Sequence, residues 1–310
     1  MRSRRRRPRA SAIGSLVLLV TTFACDSPGS DQAQPTAGSV TAPVEATTPP
    51  AAPADLEAED FDVSLFDGTS HVVDNEWFPL VPGARYVWEG RAFDDEGQRI
   101  ERKVVFVVTD LTKVIGGVRA AVGWDRDFND GDMGESELVF YAQDRYGNVW
   151  HLGEYVEHWE DGELDGGRLW VVGDPVGAEA GIQMTAQPAE GDEYSQGYAP
   201  RPWFWDDRAR VSDVGVRTCV PVDCYSDALV VEEYEPRFPA AFQLKYYASG
   251  VGGIRIGWRG PNEEEQEEME LTSFTQLDAD ALARVRTAVL EQEHRGYAYG
   301  RTEPAQPLEP

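Results

Sequence analysis

The segment Asp125-Arg126-Asp127-Phe128-Asn129-Asp130-Gly131-Asp132 holds the residues of plainest chemical potential. Asp125, Asp127 and Asn129 alternate, so on an extended chain their oxygens share one side, much as calcium loops gather hard oxygen ligands. The glycine stands one place late for an EF-hand, and Glu135 comes too early to close one. The segment is therefore a hairpin with Asn129-Asp130-Gly131 at its tip, and a candidate for weak calcium binding there. The second constellation is Trp203-Phe204-Trp205 followed by Asp206 and Asp207. Trp203 and Trp205 could pack in a core, line an apolar cavity or stack on sugar rings, and paired carboxyls can hydrolyse glycosides.

Little else suggests a reaction. His71, His151, His158 and His294 form no metal-ligand spacing. The chain has no Gly-x-Ser-x-Gly elbow and no phosphate loop. No catalytic residue is assigned, and calcium is the sole cofactor candidate. Six glutamates lie between Asn262 and Glu270; like charges at that density read as an exposed turn.

Three cysteines occur: Cys25, Cys219 and Cys224. Arg2, Arg4 to Arg7 and Arg9 precede an apolar run of 13 residues, Ala12 to Ala24. That run is too short to span a bilayer, which takes about 20 residues, and reads as an export signal over residues 1–24. Thr22-Phe23-Ala24-Cys25 resembles the bacterial lipobox. Ala24 and Cys25 match it; Thr22 and Phe23 depart from it, and ordinary signal peptidase would cut the same bond and leave Cys25 bare. The leading expectation is lipidation at Cys25 and a disordered linker over 25–60, since Asp26 to Ala54 is rich in Pro, Thr, Ala, Ser and Gly. The partner is then the membrane, through the lipid anchor, and the location is extracytoplasmic. Cys219 and Cys224 are left as an even pair in an oxidising compartment, a disulfide closing a tight turn.

The chain has 28 basic and 55 acidic residues, net −27. Losing the leader's six arginines takes this to −33. Such a surface repels nucleic acid and anionic head groups, so no nucleic-acid partner is expected.

Residues 61–300 must position whatever chemistry exists. Val-, Tyr-, Phe- and Trp-rich segments alternate with Gly-, Asn- and Asp-bearing turns. The fold class is mainly β: an antiparallel meander forming a curved sheet or open barrel. Gly173 to Pro202 is less regular, with one strand at Glu193–Tyr198. One C-terminal α-helix starts after the N-cap Asp278, with Leu282, Val285 and Val289 on one face, and Gly296 stops it. Residues 301–310 are expected to be disordered.

Three stretches resemble a family of uncharacterised bacterial secreted proteins and lipoproteins common in actinobacteria. They are Asp74-Asn75-Glu76-Trp77-Phe78-Pro79-Leu80-Val81-Pro82-Gly83 with Tyr86-Val87-Trp88-Glu89-Gly90; Tyr141-Ala142-Gln143-Asp144 with Gly147-Asn148-Val149-Trp150; and Tyr246-Tyr247-Ala248 with Gly250-Val251-Gly252. The resemblance implies a β-rich extracytoplasmic domain behind a lipoprotein leader and implies no activity. Members of that family often carry a cysteine near the position of Ala228, so a disulfide here is this chain's own. The functional expectation is a membrane-tethered lipoprotein of binding or structural type, holding an apolar or amphiphilic ligand such as a lipid. The alternative is an envelope glycan-binding protein or glycoside hydrolase using Trp203, Trp205 and a pair of acids.

Overall fold

The computed structural model describes residues 61–94, 97–201 and 204–308. The leader, Cys25, the linker to residue 60 and Trp203 lie outside the described residues.

Long β-branched and aromatic segments separated by two-residue turns dictate the architecture. The strands are β1 (Ala84–Phe93), β2 (Arg99–Ile115), β3 (Val118–Asn129), β4 (Asp132–Gln143), β5 (Val149–Glu160), β6 (Glu163–Val171), β7 (Glu179–Met184), β8 (Glu193–Ala199), β9 (Trp205–Val220), β10 (Asp223–Tyr234), β11 (Phe242–Ala248), β12 (Gly252–Arg259), β13 (Glu268–Gln276) and β14 (Gln306–Pro307). A helix, α1 (Ala279–Gly296), follows β13. Turns such as Asp130-Gly131, with φ of 51° and 93°, have both central residues in the left-handed region that two-residue hairpins require.

Neighbouring strands pair antiparallel around a ring, and β1 pairs with both β13 and β2. Twelve strands thus close a barrel, with β6 and β14 outside the ring. The meander is closed rather than open. β6 and β7 fall where the sequence is rich in glycine and charge, which hid them. β5 pairs with β7 through Val149–His151 and with β6 through Gly153–Glu160, so one edge serves two strands.

The helix packs outside the barrel. Its N-cap Asp278 accepts a hydrogen bond from the Ala281 amide (2.7 Å). Val289 is buried, and Val285 packs on Val87, Val105 and Val107. Gln292 Oε1 accepts from Ser136 Oγ (2.7 Å) and Trp124 Nε1 (2.9 Å). Arg295 clamps the fully buried Glu157 through Nε (2.7 Å) and Nη2 (2.9 Å). Lys113 pairs with Glu293 in the same interface.

Residues 301–308, expected to be disordered, run along the wall instead. β14 pairs with Thr112 and Leu111 of β2, the Leu308 amide donates to Asp110 (2.8 Å), and Glu303 C=O accepts from Lys113 Nζ (2.6 Å). Backbone pairing needs no apolar pattern, so the sequence carried no sign of it.

Ion pairs ladder the outer wall: Lys103–Glu89 at 2.8 Å, Arg255–Glu270 at 2.7 Å, and Arg91–Glu268. This wall is charged where a membrane barrel carries an apolar band.

Candidate functional site

The helix covers the outward faces of Ser136 and Glu157, so the alternate residues of β4 and β5 point inward. Glu135, Glu137, Val139 and Tyr141 of β4 face the lumen. Asp125 and Asp127 of β3 join them through direct pairings with Glu137 and Glu135. Lys245 of β11 and Glu233 of β10 face them from the opposite wall: Asp125 feels the Lys245 charge, and Tyr141 that of Glu233.

The two halves of the lumen differ. Eight strands make an interior that side chains just fill, so a twelve-stranded ring encloses more room than one layer occupies. At one end aromatic and aliphatic residues fill it. Phe78 enters from the segment before β1 and packs against Tyr141 (5.1 Å) and Tyr247 (6.3 Å) on opposite walls. Tyr86 stacks on Trp88 at 5.4 Å. The motifs that carry the family resemblance build this floor. Asn75 Nδ2 donates to the carbonyls of Gly147 (2.9 Å) and Thr185 (3.1 Å), and Asp144 accepts from the Asn148 amide (3.0 Å) and Trp150 Nε1 (3.0 Å). Leu80 of the same stretch is buried and bridges to Val73.

The other half is polar. Arg102 sits at its mouth, with Nη2 on Asp127 (2.5 Å), Nε on Glu267 (2.7 Å) and Nη1 on Asn129 (2.9 Å). Asp127 and Asn129 therefore share one side, as their alternation requires, but a guanidinium occupies it. Asp125 stands apart from Arg102's hydrogen bonds, and no cluster of metal-ligating side chains occurs among the described residues. The calcium candidate Asp125, Asp127, Asn129 is thus partly spent on an internal ion pair. Glu267 also corrects the reading of the glutamate run as an exposed turn. The run folds over the mouth, with Glu263, Gln266 and Glu267 buried and Gln243 Nε2 donating to Glu267 (2.7 Å).

Deeper acids are less well matched. Glu154 has Arg168 at 3.6 Å, Glu233 has Lys245 at 3.8 Å, and Glu135 has His158 at 2.8 Å. Asp125, Glu137 and Asp207 have no ion pair among the described residues. Burial first, and neighbouring carboxylates second, push Glu137 well above the usual carboxylate range and Asp207 up to about 8. Burial raises Asp125 to about 6 against the pull of its Arg126 amide bond and Lys245, and raises Glu154 against Arg168. These groups are enclosed yet wet: Glu154 keeps 13 % of its side-chain surface and Asp127 18 %.

Trp205, one of the two candidate ligand-binding aromatics, lies at the junction of the halves. It stacks on Trp170 at 4.9 Å and meets His151 edge-on at 5.5 Å. Gly197 makes room for them: a Cβ there would stand 2.7 Å from Trp205, and its φ of 134° suits glycine alone. Asp206 and Asp207 are consecutive on β9, so Asp207 shares Trp205's inward face while Asp206 points out. They cannot act as a carboxyl pair. Burial holds His151 neutral, with its pKa lowered to about 4. Tyr194 Oη is buried and makes no hydrogen bond, whereas Trp170 Nε1 turns toward the Glu154 carboxylate and His151 toward the backbone of Gly153 and Gln196.

Cys219 and Cys224 form a disulfide, directly paired across the β9–β10 turn. An outer groove of about 510 Å³ lies along β1, β2 and β11–β13, lined by Glu89, Arg91, Tyr246, Arg255, Glu268 and Glu270. Its charges pair with one another, so it offers a ligand little unmet charge.

Fold and site together define a closed antiparallel barrel with a charged outer wall, an apolar floor and an acid-lined mouth. No family model matches the chain, and no curated protein matches it. Two solved structures are similar at a low level. A "putative exported protein with YmcC-like fold" from Bacteroides fragilis has a TM-score of 0.38 at 12 % identity, over 64 % of this chain and 99 % of that one. A "putative lipoprotein" from Parabacteroides distasonis has a TM-score of 0.36 at 12 % identity, over 65 % of this chain and all of that one. Likeness at this level transfers neither activity nor ligand.

Proposed function

We propose that this chain is an extracytoplasmic lipoprotein, anchored through Cys25, whose barrel binds a small ligand in its open half and catalyses no reaction on it. One observation carries the reading: inside a closed twelve-stranded ring the lumen acids keep solvent-exposed surface, 13 % of the side chain for Glu154 and 18 % for Asp127. The anchor rests on the arginine-rich leader, the short apolar run and the Ala24-Cys25 bond. The apolar surface is consumed by the floor, so a ligand meets carboxyls, tyrosines and tryptophans first. An amphiphile with its polar end inward fits that order better than a bare hydrocarbon. The hydrolase alternative loses its named pair, because Asp206 and Asp207 face opposite ways.

The test is native mass spectrometry of protein purified from its own membranes. A retained small molecule, with the protein moving to the soluble fraction in Cys25→Ser, is the expected result. An empty barrel, or glycan cleavage lost in Asp207→Asn, would overturn it.

A further inference from the structure

Arg126 stands on the outer wall without an acid of its own. It faces outward on β3, because Asp125 and Asp127 on either side face the lumen and its direct partner Ser136 lies under α1. Its guanidinium lies over the Trp124 ring, 3.8 Å from the centroid. That indole is itself fixed, its Nε1 donating to Gln292 (2.9 Å) and Ser136 (3.0 Å). Arg126 Nε is buried and makes no hydrogen bond, and the side chain enters no ion pair among the described residues. Asp125 accepts from the Arg126 backbone amide (2.8 Å), not from its guanidinium. Arg85 adds to the mismatch. It shares an outer row with Val107 and Trp124 across β1, β2 and β3. Burial lowers the Arg126 pKa against the pull of Asp125, and the Arg85 charge lowers it further. Arg85 has no ion pair among the described residues either; Glu89, which feels its charge, is bonded by Lys103 Nζ (2.8 Å) and Thr272 Oγ1 (3.0 Å). Elsewhere on this wall Arg91, Arg255 and Arg295 each meet a glutamate.

We infer that Arg126 and Arg85 form an oxyanion site on the outer wall that takes a phosphate group. The site lies outside the lumen and does not depend on the binding function proposed above. In a chain with 55 acidic residues, two neighbouring guanidiniums left without a carboxylate are an exception, and like charges repel until an anion stands between them. Stacking on Trp124 holds the Arg126 plane in one pose, and a held guanidinium presents the planar fork that meets two phosphate oxygens at once. Two guanidiniums also match the charge of a phosphate, close to −2 at neutral pH, better than the single charge of a carboxylate. The strongly negative surface around the pair keeps an extended anionic surface away, so the occupant is a single small group, free or at the end of one molecule.

Calorimetry on the full-length protein in detergent, with three probes at neutral pH, tests this: inorganic phosphate, glycerophosphocholine and acetate. Both phosphate probes should bind more tightly than acetate. Tighter binding of inorganic phosphate assigns the site to free phosphate or a monoester, and tighter binding of glycerophosphocholine assigns it to a lipid head group; either supports the site. Arg126→Gln should abolish binding. Arg126→Lys keeps the charge but loses the fork and should weaken binding about tenfold. Arg85→Gln should weaken it to a similar degree. Arg85→Gln also removes a repulsion and leaves the Trp124 stack intact, so it should melt no lower than wild type and its loss of binding would not be a folding failure. Failure of both phosphate probes to bind the wild type, acetate binding as tightly as phosphate, or phosphate binding unchanged in either glutamine variant overturns the assignment.

Discussion

Glu157 is fully buried in a cage made by Tyr155 Oη (2.8 Å) and both arms of Arg295. Removing one partner of such a pair strands a charge, which typically costs 3–5 kcal/mol. Arg295 is 41 % exposed, so solvent relieves part of this. Arg295→Ala is expected to destabilise by about 2–3 kcal/mol in urea unfolding, and Arg295→Lys by less. Asp206 and Asp207 offer a contrast at adjacent positions. Asp207 has its pKa raised by burial and by Glu233 and Glu235, so the neutral Asp207→Asn should stabilise the protein at pH 8 by more than about 1 kcal/mol. Asp206→Asn, on the outer face, should leave stability within about 0.5 kcal/mol. Equal effects from the two would mean that they do not face opposite ways.

At the scale of elements, α1 and the tail behave as straps on the outer wall. Asp278→Ala removes the N-cap bond and should cost about 1 kcal/mol. Deleting residues 301–310 uncovers Lys113 and Glu293, the latter also bonded by the Ala305 amide (2.8 Å). The deletion should lower the melting temperature and raise hydrogen exchange along β2. Much of this architecture was readable. Turns such as Asn129-Asp130-Gly131 and the apolar strand centres placed most strands, and the spacing of Leu282, Val285 and Val289 placed the helix. The tail and β6 were not readable, because one pairs through backbone alone and the other reads Glu163-Leu164-Asp165-Gly166-Gly167, polar and glycine-rich. The site was least legible of all. In a chain with 55 acids, Glu137 and Glu154 look like any solvent-facing residue until closure of the ring turns their faces inward. The stretches that do stand out, from Asp74 to Gly83 and around Asp144, build the floor.

For the whole molecule, the lumen acids make stability depend on pH in a definite direction. Carboxyls raised in the folded state hold protons that the unfolded chain has released above about pH 4. Stability therefore falls as pH rises toward the folded values, about 6 for Asp125 and about 8 for Asp207. His151 acts on the other side. Its folded value is near 4 against an ordinary 6.5, so stability falls as pH drops between those two values. These acids outnumber the one histidine, so the melting temperature should decline from pH 6.5 to 8.5. Asp207→Asn should flatten that alkaline limb, and a melting temperature that rises over this interval would refute the assignment of buried acids.

Ring closure also has a temporal meaning. Arg85 pairs with Thr275 and also with Val107, so the seam joins segments nearly the whole domain apart. Loop-closure entropy is spent long before that seam repays it, and folds dominated by such distant pairings form slowly. The wall cannot shut until β13 is available, so a nascent or partly translocated chain stays protease-sensitive until about residue 276 has emerged. Pulse proteolysis of chains ending at residue 260 and at residue 310 should show protection only in the longer one, appearing in one step across the domain.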